Sequence, residues 1–324
     1  MKNRLQVARR VLAISILVAP HLISAQQRAD TAFRPVVTPP AYAASSGPRL
    51  CLDEAHYNFH TLDGRFHSFG ALATRDGYRV RPSRAAFTAA VLAECDLLVI
   101  SNAQPNDEPW TTYPQPTPSA FTDAEIAAVL RWVQGGGSLL LIADHMPLAG
   151  AAKRLAAAFG AAFTDGFAYA PWGTDSPRDA RALAERNPAV FVRENGSLRG
   201  HAITDGAGQH RITQVRTFTG QAFRWDRPGV APLLVLPPDF VSLEPRIAWQ
   251  FEDDTPIRQV GGWLQGAVRQ EGRGRVAMFG EAAMFSAQRA GPGEGRPMGM
   301  NAPMAEQNAQ FALNLLAWLV DRTP

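Results

Sequence analysis

Cysteine is nearly missing from this chain, with two in 324 residues, and that scarcity excludes the disulfide-dense secreted scaffolds. Lysine is as rare, occurring only as Lys2 and Lys153. Four of the 32 basic residues, Lys2, Arg4, Arg9 and Arg10, fall before residue 25 with no acid among them. Setting those four aside leaves 28 basic against 29 acidic residues, a balance of −1. A nucleic-acid partner is therefore not expected, because neutralising phosphates takes a clustered surplus of Lys and Arg. Long apolar runs are missing beyond the first 25 residues, and so is any span of the roughly 20 residues that a bilayer requires. There is no Gly-x-Ser-x-Gly or Gly-x-Cys-x-Gly elbow, no Gly-x-x-x-x-Gly-Lys loop and no Gly-x-Gly-x-x-Gly after a strand. These absences count against serine or cysteine hydrolases, nucleotide-driven enzymes and dinucleotide binders. At 46% hydrophobic and 19% charged residues, the composition also excludes disorder and suffices for a sizeable core.

Residues 1–25 have the layout of a secretory signal peptide: a basic start, the run Val-Leu-Ala-Ile-Ser-Ile-Leu-Val-Ala at 11–19, and small residues Ser24-Ala25 before Gln26. The expectation is an exported, periplasmic or secreted protein, soluble once cleaved and without a stable membrane span. Residues 26–48, with Pro35, Pro39, Pro40 and Pro48, read as an extended leader unable to pack a core. The domain then runs from 49 to 322. Cys51 and Cys95 lie in or beside apolar runs, where cysteine behaves as a small buried hydrophobe, so the free state is expected although export permits a disulfide.

Short apolar runs alternate with segments of helical period, the pattern of a mostly parallel sheet covered by helices in a single elaborated α/β domain. Strands are predicted at Arg49–Asp53, Tyr78–Arg81, Asp96–Ser101, Ser138–Ala143 and, as the final strand, Arg275–Phe279. Helices are predicted at Ser68–Asp76, Thr88–Ala93, Thr122–Gln134, Ala149–Phe159 and Met304–Val320. Thr122 and Glu125 form a capping box, and Gly135-Gly136-Gly137 stops that helix. Between 164 and 271 the alternation loosens into turns and short strands.

In an open parallel sheet, ligands bind beyond the carboxyl ends of the strands. The first strand runs into Asp53-Glu54-Ala55-His56-Tyr57-Asn58-Phe59-His60, the third into Asn102, the fourth into Asp144-His145, and the last into Gly280-Glu281. Polar, titratable groups at such positions must serve one another, a ligand or an ion. One reading makes His56, His60, Asp144 and His145 ligands of Zn, Mn or Fe, with Asp53, Glu54 or Glu281 as the catalytic base or supporting partner. The other makes them caps and loop hydrogen bonds. Asn58 and Asn102 are candidate ligand contacts. So are Trp110 and Tyr113 on the proline-rich connection 104–120 and Trp172 on the stretch 167–177, whose rings suit stacking on sugars or flat ligands.

The runs Leu52–His60, Leu141–Pro147, Gly200–Gly206 and Gly274–Glu281 resemble an uncharacterised exported bacterial family with a class I glutamine amidotransferase-like domain. That family is related to the auxiliary domain of gliding-type ABC transporters and to the GIFT domain of intraflagellar transport. The resemblance covers residues 49–322 and implies a flavodoxin-like, doubly wound sheet. It also implies a cysteine nucleophile at the elbow and a His-Glu pair after a later strand. Here the elbow position holds Asp144-His145, and Glu281 has no adjacent histidine, so Cys-dependent glutaminase chemistry is not expected. The resulting expectation is a protein that binds a small molecule, a carbohydrate among the candidates, at the strand-end cluster, with hydrolysis through a metal-activated water as its chemistry. The competing expectation is a non-catalytic binding domain with a protein partner.

Overall fold

A computed structural model describes residues 27–170 and 189–321; the expected signal peptide and Trp172 lie outside the described residues. Six strands and four helices frame the site. The strands are β1 (Arg49–Asp53), β2 (Arg79–Ser83), β3 (Leu97–Ser101), β4 (Ser138–Ile142), β5 (Leu264–Glu271) and β6 (Gly274–Phe279). The helices are α1 (His67–Arg75), α2 (Asp123–Gln134), α3 (Leu148–Ala158) and α4 (Asn308–Leu319).

Side chains on a strand alternate between its two faces, and in β3 and β4 every residue is buried. Leu97, Val99, Leu140 and Ile142 pack on one side with Phe69 and Leu72 of α1 and Phe311, Leu315 and Leu316 of α4. Leu98, Ile100, Leu139 and Leu141 pack on the other with Val129 and Val133 of α2 and Leu155 of α3. Each such side chain contributes about 1.5–3 kcal/mol by burial, and only a layer covered on both faces can bury them all. The strands therefore run parallel in the order β2-β1-β3-β4-β6. The edge strand β2 carries exposed Arg79 and Arg81 and a partly exposed Pro82, a composition that discourages further pairing. The capping box at Thr122–Glu125 forms as expected, starting α2.

Beyond β6 the sheet turns antiparallel through β5, Phe223–Arg224 and Ala162–Phe163, with Ala231–Val235 also paired to β5, which brings it to nine strands. The mixed sequence of β5 hides it from a periodicity reading, and β6 is not the final strand: a hairpin of Ala287–Ala290 and Arg296–Gly299 follows it. That hairpin pairs with Gln27–Ala29, which corrects the expectation of an unpacked leader. Asp30 is buried against Arg289 and Asn301, and the Tyr42 ring meets Tyr78 edge-on at 5.3 Å. The proline-rich segment is extended, but long-range partners hold it to the domain.

The cysteines are not free. Cys51 lies opposite Leu98 of the neighbouring strand, which brings Cys95 within 5.8 Å between Cα atoms, and the two are joined by a disulfide. Their pairing depends on β1 and β3 being neighbours, which local sequence does not reveal. The bond closes a loop across a sequence separation of 44. The Cys51→Ala/Cys95→Ala variant should lose about 2–4 kcal/mol of stability, read as a lower urea midpoint at unchanged slope; equal midpoints would show that the link adds nothing.

Candidate functional site

Parallel strands all finish at one edge of their sheet, and here adjacent strands finish on one rung. Phe279 of β6 is the lateral partner of Ile142 of β4, which is in turn the partner of Ser101 of β3. The main chain continues this registry past the strand ends, with Asn102 N–H donating to the Ile142 carbonyl and Ala143 N–H to that of Phe279, each at 3.0 Å. Asn102, Asp144 and Glu281 thus come from three parts of the chain to one short stretch of edge. The strand order reverses between β1 and β3, so Asp53 ends beside the crevice where doubly wound sheets take ligands.

Glu281 is fully buried. Its carboxyl oxygens accept the N–H groups of Ala283 at 2.7 Å and Met284 at 2.9 Å. Burial, and then the neighbouring Asp144 carboxylate, push its pKa well above the usual range for a glutamate. Asp144 retains partial solvent contact. Burial raises its pKa too, against the opposing effects of His145, the Ala282 N–H and Asn102. Its backbone is pinned by the Asn102 side chain, whose Oδ1 accepts the Asp144 N–H at 2.9 Å. Gln221 props the same turn, donating from its side chain to the Ala143 carbonyl at 3.2 Å and from its backbone N–H to that of Gly280 at 2.8 Å. Two carboxyl groups that repel in a poorly solvated place resist carrying two charges at once.

His145 stands beside this pair in a box of rings. Phe167 stacks on it at 4.5 Å, and Trp249 and Trp110 meet it edge-on at 4.8 and 5.8 Å. Its Nδ1–H donates to the Met146 carbonyl at 2.7 Å. Because a carbonyl only accepts, the neutral ring carries its hydrogen on Nδ1 and leaves a lone pair on Nε2. Gln104 organises the cover: it accepts from Trp110 Nε1 at 2.7 Å and donates to the Tyr57 carbonyl at 2.9 Å. The connection carrying Trp110 therefore does cross the edge. Tyr57, Asn102 and Trp249, all around this rim, have φ of 47°, 51° and 66°. Asparagine tolerates that region, but tyrosine and tryptophan do so at a cost that tends to persist at binding sites.

Nearer β1, His56 is a buried imidazole between two carboxylates. Nδ1 donates to Asp53 at 2.9 Å and Nε2 to Glu125 at 2.9 Å, with the Phe87 and Phe121 rings at 4.6 and 4.8 Å. Burial disfavours the charged ring, but the two carboxylates outweigh it and raise the His56 pKa. Glu125 also accepts the Thr122 N–H and hydroxyl and the Phe87 N–H; against its burial, these and His56 hold its pKa at about 2. Asn58 is spent within the same group, accepting the His56 N–H and donating to Asp53 and the Ser101 carbonyl.

Several expectations change. His56, His60, Asp144 and His145 do not form a ligand set. Both His56 nitrogens face carboxylates; His60 is buried, stacked on Phe66 at 4.5 Å and bonded to Ser101 Oγ at 2.8 Å. Burial, helped by Arg65, keeps His60 neutral. Among the described residues, no group of three or more His, Cys, Asp or Glu is arranged to hold a metal ion. Glu54 is not at the rim chemistry: it accepts the Leu62 N–H at 2.8 Å and pairs with Arg84. Tyr113 is buried, its hydroxyl donating to the Asn106 carbonyl, so it offers no stacking face. Glu125, Phe167 and Trp249 were not singled out by sequence. Glu125 carried a signal, but only that of a helix cap.

No protein-family model matches this chain, and no curated protein does. Among solved structures, the mmIFT52 N-terminal domain superposes with a TM-score of 0.54 at 13% identity, covering 84% of this chain and 97% of that one. A cytoplasmic protein from Salmonella typhimurium gives 0.48 at 14% identity over 83% and 98% of the two chains. A ThuA-like protein from Bacteroides uniformis gives 0.41 at 14% over 87% and 95%. The first shows a shared fold and nothing of chemistry; the other two superpose too loosely to support more.

The Asp53–His56–Glu125 group sets a pH dependence. The raised His56 pKa contributes stability that is present below about pH 6.5 and lost as pH rises through the folded value; the lowered Glu125 pKa contributes stability present above about pH 4.5 and lost as pH falls toward 2. Glu125→Gln should therefore cost about 3 kcal/mol near pH 5.5 and less at about pH 3 or 9. Thermal unfolding of both proteins across that range checks it, and a difference that ignores pH would count against a charged histidine.

Proposed function

We propose that this chain is an exported binding protein of amidotransferase-like, doubly wound fold that takes a small hydroxylated molecule, a sugar by preference, over Asp144 and His145. The observation that carries the reading is the Asp144–Glu281 pair, Glu281 fully buried and Asp144 a partly exposed residue, at the edge where β4 and β6 end. Glu281, raised further than Asp144, keeps the proton of the pair, so Asp144 offers carboxylate oxygens to ligand hydroxyls, and the lone pair of His145 Nε2 gives a further acceptor beside them. Sugars present hydroxyls that both donate and accept, and the partly exposed Trp110 and Trp249 supply apolar surface beside them. The strand order supports the flavodoxin-like assignment, and the disulfide, with the signal-type leader, supports export.

The same groups suit hydrolysis by general base, the Asp144 carboxylate taking a proton from the attacking water while the leaving oxygen takes one from solvent. A non-catalytic binding domain is the second reading. It is favoured by the way Asp53, His56, Asn58 and His60 spend their polar atoms on one another, leaving few groups for chemistry.

Asp144→Asn decides the location. It keeps the acceptor for the His145 N–H but removes the charge that opposes Glu281. Calorimetric titration with neutral mono- and disaccharides should show at least tenfold weaker binding than wild type, since buried hydrogen-bonding groups are left unmatched. The same variant should be more stable by roughly 1 kcal/mol at about pH 8, because both raised pKa values mean stability lost on deprotonation as pH rises. Unchanged affinity would remove Asp144 from the site. Glycoside turnover lost in Asp144→Asn would favour the hydrolase, and binding without turnover the binding domain.

A further inference from the structure

Among the described residues, Arg65 is a partly buried guanidinium without an acidic partner. It lies on the turn that leads into α1, and its central carbon sits 3.7 Å from the centroid of the Phe59 ring. Its buried Nε–H meets no acceptor among the described residues, and its hydrogen bond to the Phe59 carbonyl is long at 3.4 Å. The nearest acid in sequence, Asp63, reaches Arg84 instead, at 4.0 Å, and Arg84 is shared with Glu54. Burial lowers the Arg65 pKa with no carboxylate opposing the shift. By contrast, Arg49, Arg193, Arg258, Arg275 and Arg289 each have an acid within reach.

A buried N–H without an acceptor on a cation without a counter-charge is unfavourable in the free protein, and such groups call for an explanation. Position supplies one. Phe59, beneath the guanidinium, meets Trp110 at 5.4 Å, and Trp110 meets His145 at 5.8 Å, so ring contacts connect Arg65 to the Asp144–His145 rim. Stacking occupies a face of the guanidinium and leaves in-plane N–H groups for a planar, two-oxygen acceptor.

We propose that Arg65 binds the carboxylate of the ligand, so that the molecules taken at this rim are acidic sugars of the uronic type rather than neutral ones. This rests on the saccharide reading of the rim and narrows it. Arg65 is then the residue that sets specificity, while Asp144 and His145 meet the hydroxyls.

The test is calorimetric titration of the full mature protein with two matched pairs, D-glucose with D-glucuronate and D-galactose with D-galacturonate. Wild type should bind at least one acid about tenfold more tightly than its neutral twin. In Arg65→Ala that preference should fall to within about twofold, and Arg65→Lys should recover only part of it. Neutral and acidic forms binding equally, with affinity still dependent on Asp144, would overturn the role of Arg65 and leave the rim reading standing. A preference that survives in Arg65→Ala would overturn it equally, and failure of all four sugars to bind would overturn both readings. Should Arg65→Ala not fold, phenylglyoxal labelling of wild type with peptide mass spectrometry reads the same point. Arg65 should be modified faster than the paired Arg258 and be protected several-fold by the uronate but not by its neutral twin; absence of that protection would defeat the assignment.

Discussion

Burial of β3 and β4 on both faces is the constraint from which the site follows. Strands with no exposed side chain need a helix layer above and another below, and crossovers through those layers run the strands parallel. Parallel strands in register end together, which is why Asp144 and Glu281, 137 positions apart by their numbers, share a rung. Neither carboxylate would be placed in so dry a position by local preference. The apolar layers bring them there, and their repulsion is tolerated because the core elsewhere is extensive.

The edge divides into two electrostatic regimes. Around His56, opposite charges meet and satisfy one another, so the group fastens the loop after β1 to the start of α2 and is structural in character. Around Asp144, like charges meet and, among the described residues, are not neutralised by a cation. A polar cluster that is fully satisfied rigidifies its surroundings, whereas a partly satisfied one is unstable by itself and gains on meeting a ligand. The strained backbone at Tyr57 and Trp249 falls around the second regime, and so does the guanidinium of Arg65.

The elements of the parallel core were legible because each has a local cause: continuous apolar runs for β1, β3 and β4, a capping box for α2, glycine stops after α1 and α3. The strand β5 was not, since Leu-Gln-Gly-Ala-Val-Arg-Gln-Glu has neither a clean alternation nor an apolar run and is a strand only because β6 lies beside it. Of the candidate site, Asp53, Asn102, Asp144, His145 and Glu281 could be named from their places after strands. Their partnerships could not. Glu125 announced itself as a helix cap, and nothing within ten residues of it indicates a histidine 69 positions away. Trp249 lies in a stretch without periodicity, and its position against His145 depends on the small sheet formed by Phe167–Tyr169, Val241–Leu243 and Ile257–Gln259.

Composition and pattern alone determined a two-sided α/β layer with polar residues at its strand ends, because apolar periodicity and turn chemistry act over a few residues at a time. Which of those residues oppose, neutralise or ignore one another was decided only by tertiary structure. Electrostatic interaction depends on separation in space and on the water excluded between groups. Both quantities arise when strand order and register place remote segments side by side, as they do for the disulfide, the His56 triple and the Asp144–Glu281 pair.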